Sequence, residues 1–350
     1  MSDCPTNGFP PSPQGACEKD GAQQGRRGIV PVGGPQGSRP ALSLPSGLFF
    51  CALGGAVASS TFSFLAPVFV GYGYVSAADC GGTRGRLMGA AAALVAAVAL
   101  SFSLGASSVV AAIASCLVAL VAVEALLAGR LTPGLGCLVV AGAAVCTFGA
   151  DSLVAATRGT TVAADVESLL SLYAEEFSSV SVTAASLVQQ VRSVLSVLWP
   201  TAYVVSAFGS YLFAVIGAGA AARKTTERTI AVPRLVDYDL PLWVVAVLVA
   251  AAAVLAFGLT VDGPAADAAL MASANVVMGL RLAFAAQGLA VLVWFLNRNG
   301  SGALTKALLG ALALYLEVQF VVLTVVGLVD VWANLRHLPR GESSGAQGTA

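Results

Sequence analysis

Ionisable side chains inside apolar stretches are where this sequence could do chemistry. A charge at the centre of a membrane-spanning helix costs roughly 2.5–3.5 kcal/mol on insertion scales, so it needs a partner, a cavity or a route to water. Five residues meet that description: Glu124, Asp151, Arg281, Glu317 and Asp330. Arg281 lies near the middle of its apolar run, and Asn275 and Gln287 on the same helix add polar groups that hydrocarbon would not tolerate. That helix should therefore face protein or water. The natural counter-charge for Arg281 is Glu317 in the next run, which makes Asn275, Arg281, Gln287 and Glu317 the expected ligand-lining set. A buried Arg–carboxylate pair serves equally well as structural glue, and that alternative stays open. Glu124, about one turn from Arg130, is expected to reach for the interface, and Asp151 near its own span end likewise.

Other chemistries find no support in residue types and spacing. Of seven cysteines, Cys51, Cys116, Cys137 and Cys146 lie in apolar runs, Cys4 and Cys17 near the N-terminus and Cys80 at a span end, with no CxxC pair. They read as small hydrophobes, not as metal ligands or redox thiols. The single histidine, His337, follows the last apolar run, so intramembrane zinc and histidine-assisted nucleophilic catalysis are not expected. The Asp237-Tyr238-Asp239 triplet stands directly before Pro241 and a span, without the further oxygen ligands a divalent ion would need. Ile216 to Ala221 (IGAGAA) has the glycines of a dinucleotide loop but no preceding strand. Glu175-Glu176 lacks the companions of an intramembrane protease site. No GxxxxGK[ST] loop is present, so energy coupling would require a separate ATPase module. The expectation is a non-enzymatic protein without catalytic residues, metal or cofactor.

The elements that must position these residues follow from composition. Hydrophobic residues make up 57% and charged residues 10% of the chain, against about 25% charged in soluble domains. The expected fold is all-α, a polytopic transmembrane helix bundle of eight to ten spans whose principal partner is the lipid bilayer. Lys plus Arg and Asp plus Glu both number 18, which gives no reason to expect nucleic acid. Residues 1–45, rich in Pro, Gly and Ser, read as a disordered tail unlike a cleaved signal peptide. Apolar runs of spanning length lie at 47–79, 87–105, 107–128, 132–156, 196–222, 240–260, 269–296 and 304–332. They form N-terminal (46–156) and C-terminal (196–337) groups, and 338–350 is a second loose tail.

Basic residues gather at every second connection: Arg84 and Arg86, Arg130, Arg223 to Arg234, then Arg298 and Lys306. Those connections should be cytoplasmic. Placing the arginine-bearing N-terminal tail on that side requires the 47–79 run to cross twice or re-enter, with a break near Pro67. Placing Arg336 and Arg340 there requires the 304–332 run to fold back near Glu317 and Gln319. Between them, 157–195 has apolar residues at steps of three and four. It reads as one amphipathic helix, or two broken near Ser178 to Thr183, in an extracytoplasmic connector that packs on the bundle or lids a cavity. Small residues including Gly209, Gly217 and Gly219 mark the 196–222 span as a close-packing surface.

The C-terminal third has a recognisable order: Pro241 with Trp243 opening a span, Asn275, then Gln287-Gly288-Leu289-Ala290-Val291, a basic turn, and Gly327-Leu328-Val329-Asp330-Val331-Trp332 before Arg336. It resembles the YybS-like family of uncharacterised bacterial membrane proteins, specifically over 199–340 and by composition alone over 47–156. That family is similar at fold level to the substrate-binding S-components of energy-coupling-factor transporters. The resemblance implies a bacterial cytoplasmic membrane protein that binds or transports a small molecule, with Gly327, Asp330 and Trp332 as family-motif positions. The alternative is a structural or assembly protein of cell-envelope machinery with other membrane proteins as partners. Trp332 is expected to anchor at the interface and Asp330 to bond Asn334 one turn on.

Overall fold

The computed structural model describes residues 43–178, 182–225 and 233–338. The expected tails fall outside these residues up to position 42 and beyond 338. Among the described residues the chain is helical throughout, without strands. Its helices are α1 (Leu44–Val57), α2 (Ala66–Ser101), α3 (Ala106–Leu127), α4 (Pro133–Thr157), α5 (Val162–Ser178), α6 (Val182–Leu198), α7 (Thr201–Ala222), α8 (Leu242–Thr260), α9 (Pro264–Arg298), α10 (Ala303–Phe320) and α11 (Val322–Ala333). Seven of the described helical stretches are long and apolar enough to cross a bilayer, and α1 and α11 are shorter apolar helices. Starts are set locally. Ser43 caps α1 reciprocally with Ser46, Thr132 accepts from Leu135 N–H at the head of α4, and Pro45, Pro67, Pro133 and Pro264 occupy first-turn positions where no amide donor is missed.

The first and last apolar runs both double back, as they should if the arginines flanking them lie on the side of the other basic connections. The first run breaks over residues 58–65, and Pro67 begins α2 rather than kinking it. Within α2, Gly82 adopts φ 54° and ψ −134°, a conformation open to a residue without Cβ. A Cβ placed at Gly89 would lie 3.5 Å from both Ala77 Cβ and the Tyr74 ring, although a straight helix would separate Gly89 from Ala77 by about 18 Å. The chain therefore reverses at Gly82, returning Arg84 and Arg86 to the end where α1 begins. At the far end Val321, with φ 53°, separates α10 from α11. Because Arg281 meets Thr324 and Gln287 meets Asp330, α11 runs parallel to α9 and antiparallel to α10. The arginine clusters at Gly82, Arg130, Arg223 and Arg298 consequently share one end of the bundle.

The helices sort into two groups. Cys51, Val70, Val75, Cys116, Val123, Ala214 and Ala218 centre a core of α1, α2, α3 and α7. Val244, Val245, Ala283, Phe284 and Val331 centre a second core of α8, α9 and α11. Small residues set the approach: a side chain at Gly327 would strike the Phe284 carbonyl and one at Gly288 the Leu323 carbonyl, so α9 and α11 touch backbone to backbone. The connector forms two helices, α5 and α6, tied by an Arg192–Glu167 ion pair.

Candidate functional site: a lateral apolar cleft and the polar lock beneath it

Where the two helix groups meet, α4, α7, α8 and α9 leave a cleft of about 440 Å³, within the range of small-molecule sites. Its length follows the α4 wall from Pro133 to Phe148, about 22 Å at the helical rise. Val140, Ala144, Val204, Phe208, Gly279 and Leu280 line its middle. Leu138, Val145, Val247 and Val276 on its walls are 39–69% exposed, so the cleft opens sideways, toward lipid.

Each end of the cleft is aromatic. Tyr211, Tyr238 and Trp243 close the arginine-rich end. Burial pushes the Tyr238 phenol up from its ordinary value, which keeps it a neutral hydroxyl. At the opposite end Phe148, Trp199 and Tyr203 cluster with centroids 5.7–6.3 Å apart, Tyr203 packing edge to face with both of the others. The Tyr203 hydroxyl there donates to Asp151 Oδ2 at 3.0 Å.

Of the four residues expected to line a ligand, only Asn275 borders the cleft, and its polar atoms are committed: Thr201 Oγ1 donates to Oδ1 at 2.7 Å, and Nδ2 donates to the Val197 and Met271 carbonyls. It fastens the end of α6 and the start of α7 to α9. Arg281 and Glu317 are paired, as their positions on consecutive helices suggested, with Nε–Oε1 at 2.9 Å. Arg281 also donates to the Glu317 carbonyl, and the Thr324 amide and hydroxyl donate to the carboxylate at 2.9 and 2.7 Å. The pair caps the turn at Val321, on the α10–α11 side of α9 and away from the cleft.

Gln287 is fully buried. Its Oε1 accepts from Leu240 N–H at 3.1 Å, and its Nε2 donates to Asp330 Oδ2 at 2.7 Å and Asp239 Oδ1 at 3.2 Å. Asp330 and Arg336 form an ion pair at 2.8 Å with both side chains 0% exposed, and Arg336 donates to the Val236 and Tyr238 carbonyls at 2.6 and 2.7 Å. These bonds hold residues 236–240 against α9 and α11, and that segment carries Tyr238, the floor of the cleft. The link from Asp330 to Asn334 runs through the backbone amide at 2.9 Å, while the Asn334 side chain turns to Leu338. Gly327 permits the α9–α11 contact, and Trp332 is 62% exposed, as an interfacial anchor would be.

Two further expectations are revised. Glu124 pairs with Arg86 at 2.6 Å and accepts from the Tyr74 hydroxyl at 3.0 Å, instead of snorkelling beside Arg130. Asp151 turns into the bundle toward Tyr203. Among the described residues no cluster of three or more His, Cys, Asp or Glu is placed to hold a metal.

An all-helical chain with seven apolar, spanning-length helices and a motif-bearing C-terminal third invites comparison with known families. The model of the family described as predicted membrane protein (DUF2232) matches residues 62–331. The chain belongs to this family. Searches of curated proteins and of solved structures returned no match. The DUF2232 match takes in the whole cleft, Asn275, Arg281, Gln287, Glu317 and Asp330, and it stops just short of Trp332 and Arg336. Sequence reasoning missed Arg336 as the partner of Asp330. The available signal was the Asn334 stop after α11, which lets the chain turn back.

Proposed function

We propose that this DUF2232 protein is a non-enzymatic membrane subunit that binds a small apolar or amphipathic molecule in the cleft between its two helix groups. The observation that carries the reading is the cleft itself: about 440 Å³, apolar along its length and open on the side that faces lipid. Its described lining is aliphatic and aromatic but for Cys137 and Asn275, which suits an apolar ligand. The intramembrane polar residues act one layer out, Gln287, Asp330 and Arg336 by fixing the segment that bears Tyr238, and Asn275 by fixing the α6–α7 junction. The YybS-like resemblance and its S-component analogy belong to the same reading, in which a separate ATPase module would supply any energy.

A second reading, an assembly protein of cell-envelope machinery, is favoured by α10. Its Leu304, Leu308, Tyr315, Val318 and Phe320 are all more than half exposed, a surface suited to a partner helix as well as to lipid. Purification in detergent, followed by thermal melting with a panel of apolar and amphipathic metabolites, separates the two. Stabilisation by such a compound supports the cleft reading. Indifference to the whole panel at saturation, together with a stable crosslinked protein partner, would replace it with the second.

In the same proposal the arginine-rich end is cytoplasmic and α5–α6 lie outside, in a bacterial cytoplasmic membrane. Ser178 on the connector and Thr226 on the basic loop would report on this orientation, but the Ser178 side chain and Thr226 lie outside the described residues; Thr160 and Asn299, both exposed, report on the same two ends.

A further inference from the structure

The α5–α6 connector carries an apolar surface that the bundle leaves uncovered. On α5, Leu169, Leu172 and Tyr173 are 54–61% exposed, and on α6, Val191, Val194 and Leu195 are 40–55% exposed. Each trio follows i, i+3, i+4 spacing and spans an arc of about 100° at the helical repeat. Glu167, Ser171 and Glu175 lie outside the first arc, and Gln189, Arg192 and Ser193 outside the second; Asp165 and Glu176 bound the α5 stripe in sequence. The helices are antiparallel, tied by the Glu167–Arg192 pair. Half-buried Val166, Leu170 and Ala174 on α5, and Val188 and Arg192 on α6, mark where they meet. Measured from that contact, both stripes lie about a quarter-turn to the same side, so they form one face. No described side chain from 158 to 175 or from 188 to 200 is buried. The hairpin meets the bundle at its roots, where Asn275 Nδ2 donates to the Val197 carbonyl and Arg158 to Ser107.

What lies against this face follows from where the hairpin is rooted. It begins after Thr157 and ends before Thr201, at the ends of two helices of spanning length, α4 and α7. Gly159, with φ 74°, ends α4 and turns the chain, and α6 gives way to α7 at Trp199–Pro200. Phe148, Trp199 and Tyr203 cluster at that level, as an interfacial aromatic belt does. Tyr173, the stripe residue farthest from the α5 root, is only about 16 Å of helix from Val162. The bilayer surface is therefore within reach of the whole face. Charge decides how it is held: from Thr160 to Pro200 the sequence has Asp165, Glu167, Glu175 and Glu176 against Arg192 alone, a net charge of −3. Such a segment gains nothing from anionic headgroups. We propose that α5–α6 is a monotopic hairpin that beds its apolar face among the headgroups and upper acyl chains of the leaflet where it is rooted, held by hydrophobic insertion. It ties the ends of α4 and α7 to the membrane surface.

The test uses the full chain, cysteine-free but for one bimane-labelled position at a time, reconstituted singly in phosphatidylcholine nanodiscs. Labels at Leu172 and Val194 report on the apolar face, and labels at Gln189 and Ser193, both exposed, on the polar one. A label at Val249, exposed midway along α8, verifies that each sample is inserted. Lipids brominated on the upper acyl chain quench a label that lies in the leaflet, and aqueous iodide quenches one that lies in water. Bromolipid quenching with loss of iodide quenching is expected at Leu172 and Val194, and the reverse at Gln189 and Ser193. Replacing part of the lipid with phosphatidylglycerol, or raising the salt, should leave the pattern unchanged. Iodide reaching both faces equally would overturn the proposal. Iodide protection at Leu172 and Val194 without bromolipid quenching would overturn it too, because protein would then cover the face. Bromolipid quenching that requires anionic lipid or low salt would refute hydrophobic insertion as the means of attachment.

Discussion

Replacing Asp330 with Asn is the most informative single change to the polar lock. The two side chains are nearly isosteric, so packing of α11 on α9 is preserved, while the nearer of the two carboxylates that answer Arg336 loses its charge and only Asp239, at 3.9 Å, remains. Arg336 is 0% exposed at its side chain and cannot swing to water without breaking its bonds to the Val236 and Tyr238 carbonyls. Removing one partner of a buried pair typically costs about 3–5 kcal/mol, because the remaining charge stays desolvated, and the longer contact to Asp239 at 3.9 Å offsets only part of that loss. The same substitution logic at Glu124→Gln breaks the Arg86 pair, whose side chains are 27% and 43% exposed; water screens that pair, and the loss should be at most about 1 kcal/mol. Unfolding in mixed micelles with increasing dodecyl sulfate measures both losses on one scale. Asp330→Asn should also change the fluorescence of Trp243, since the 236–240 segment that it releases leads directly into α8. Equal, small losses for the two variants would refute the argument that burial of the Asp330–Arg336 pair holds the floor of the cleft.

Three further predictions follow from the same geometry. Arg281→Met and Glu317→Leu should each destabilise the protein in that assay, and the double variant should recover most of the loss, since an apolar pair can replace a buried ion pair at little cost; additive losses would mean that the two charges do not meet. Gly327→Val forces a side chain against the Phe284 carbonyl and should cost about 1–3 kcal/mol or more by overpacking, whereas Gly142→Val, where a Cβ meets open space, should be nearly silent. Cysteines placed at Thr160 and Asn299 in a cysteine-free background should respectively react and fail to react with an impermeant maleimide in intact cells; the reverse pattern would invert the proposed orientation.

Much of the helix topology was legible because lipid leaves few options. Every second connection carries arginine, and placing the arginines that flank the first and last apolar runs on that same side called for both runs to double back, which they do at 58–65 and Val321. Arg281 and Glu317 could be paired from sequence because they are opposite charges on consecutive helices joined by a short turn. Gln287 and Asp330 were legible as polar groups needing partners, but not who the partners are. Arg336 reads as a topogenic charge in a sequence, and only the turn after Asn334 brings it back six residues to Asp330. The Leu240 amide answers Gln287 across 47 positions, for which no local pattern exists. The cleft was illegible for a different reason: Val140, Ala144, Val204 and Leu280 are the residues a helix would show to lipid in any case, so only their relative placement makes a cavity.

The claim on which the account turns is that the slot between α4 and α8 is an occupied site rather than a packing fault. Ala141 is exposed on its wall, so Ala141→Trp fills the slot without displacing core. Native mass spectrometry of protein released from detergent, with melting temperature measured in parallel, tests the claim directly. The wild type should carry a bound amphiphile at defined mass, and Ala141→Trp should lose it while melting at an unchanged or higher temperature. Identical bound mass in both proteins, or none in either when membranes of the native host are used for extraction, would contradict it.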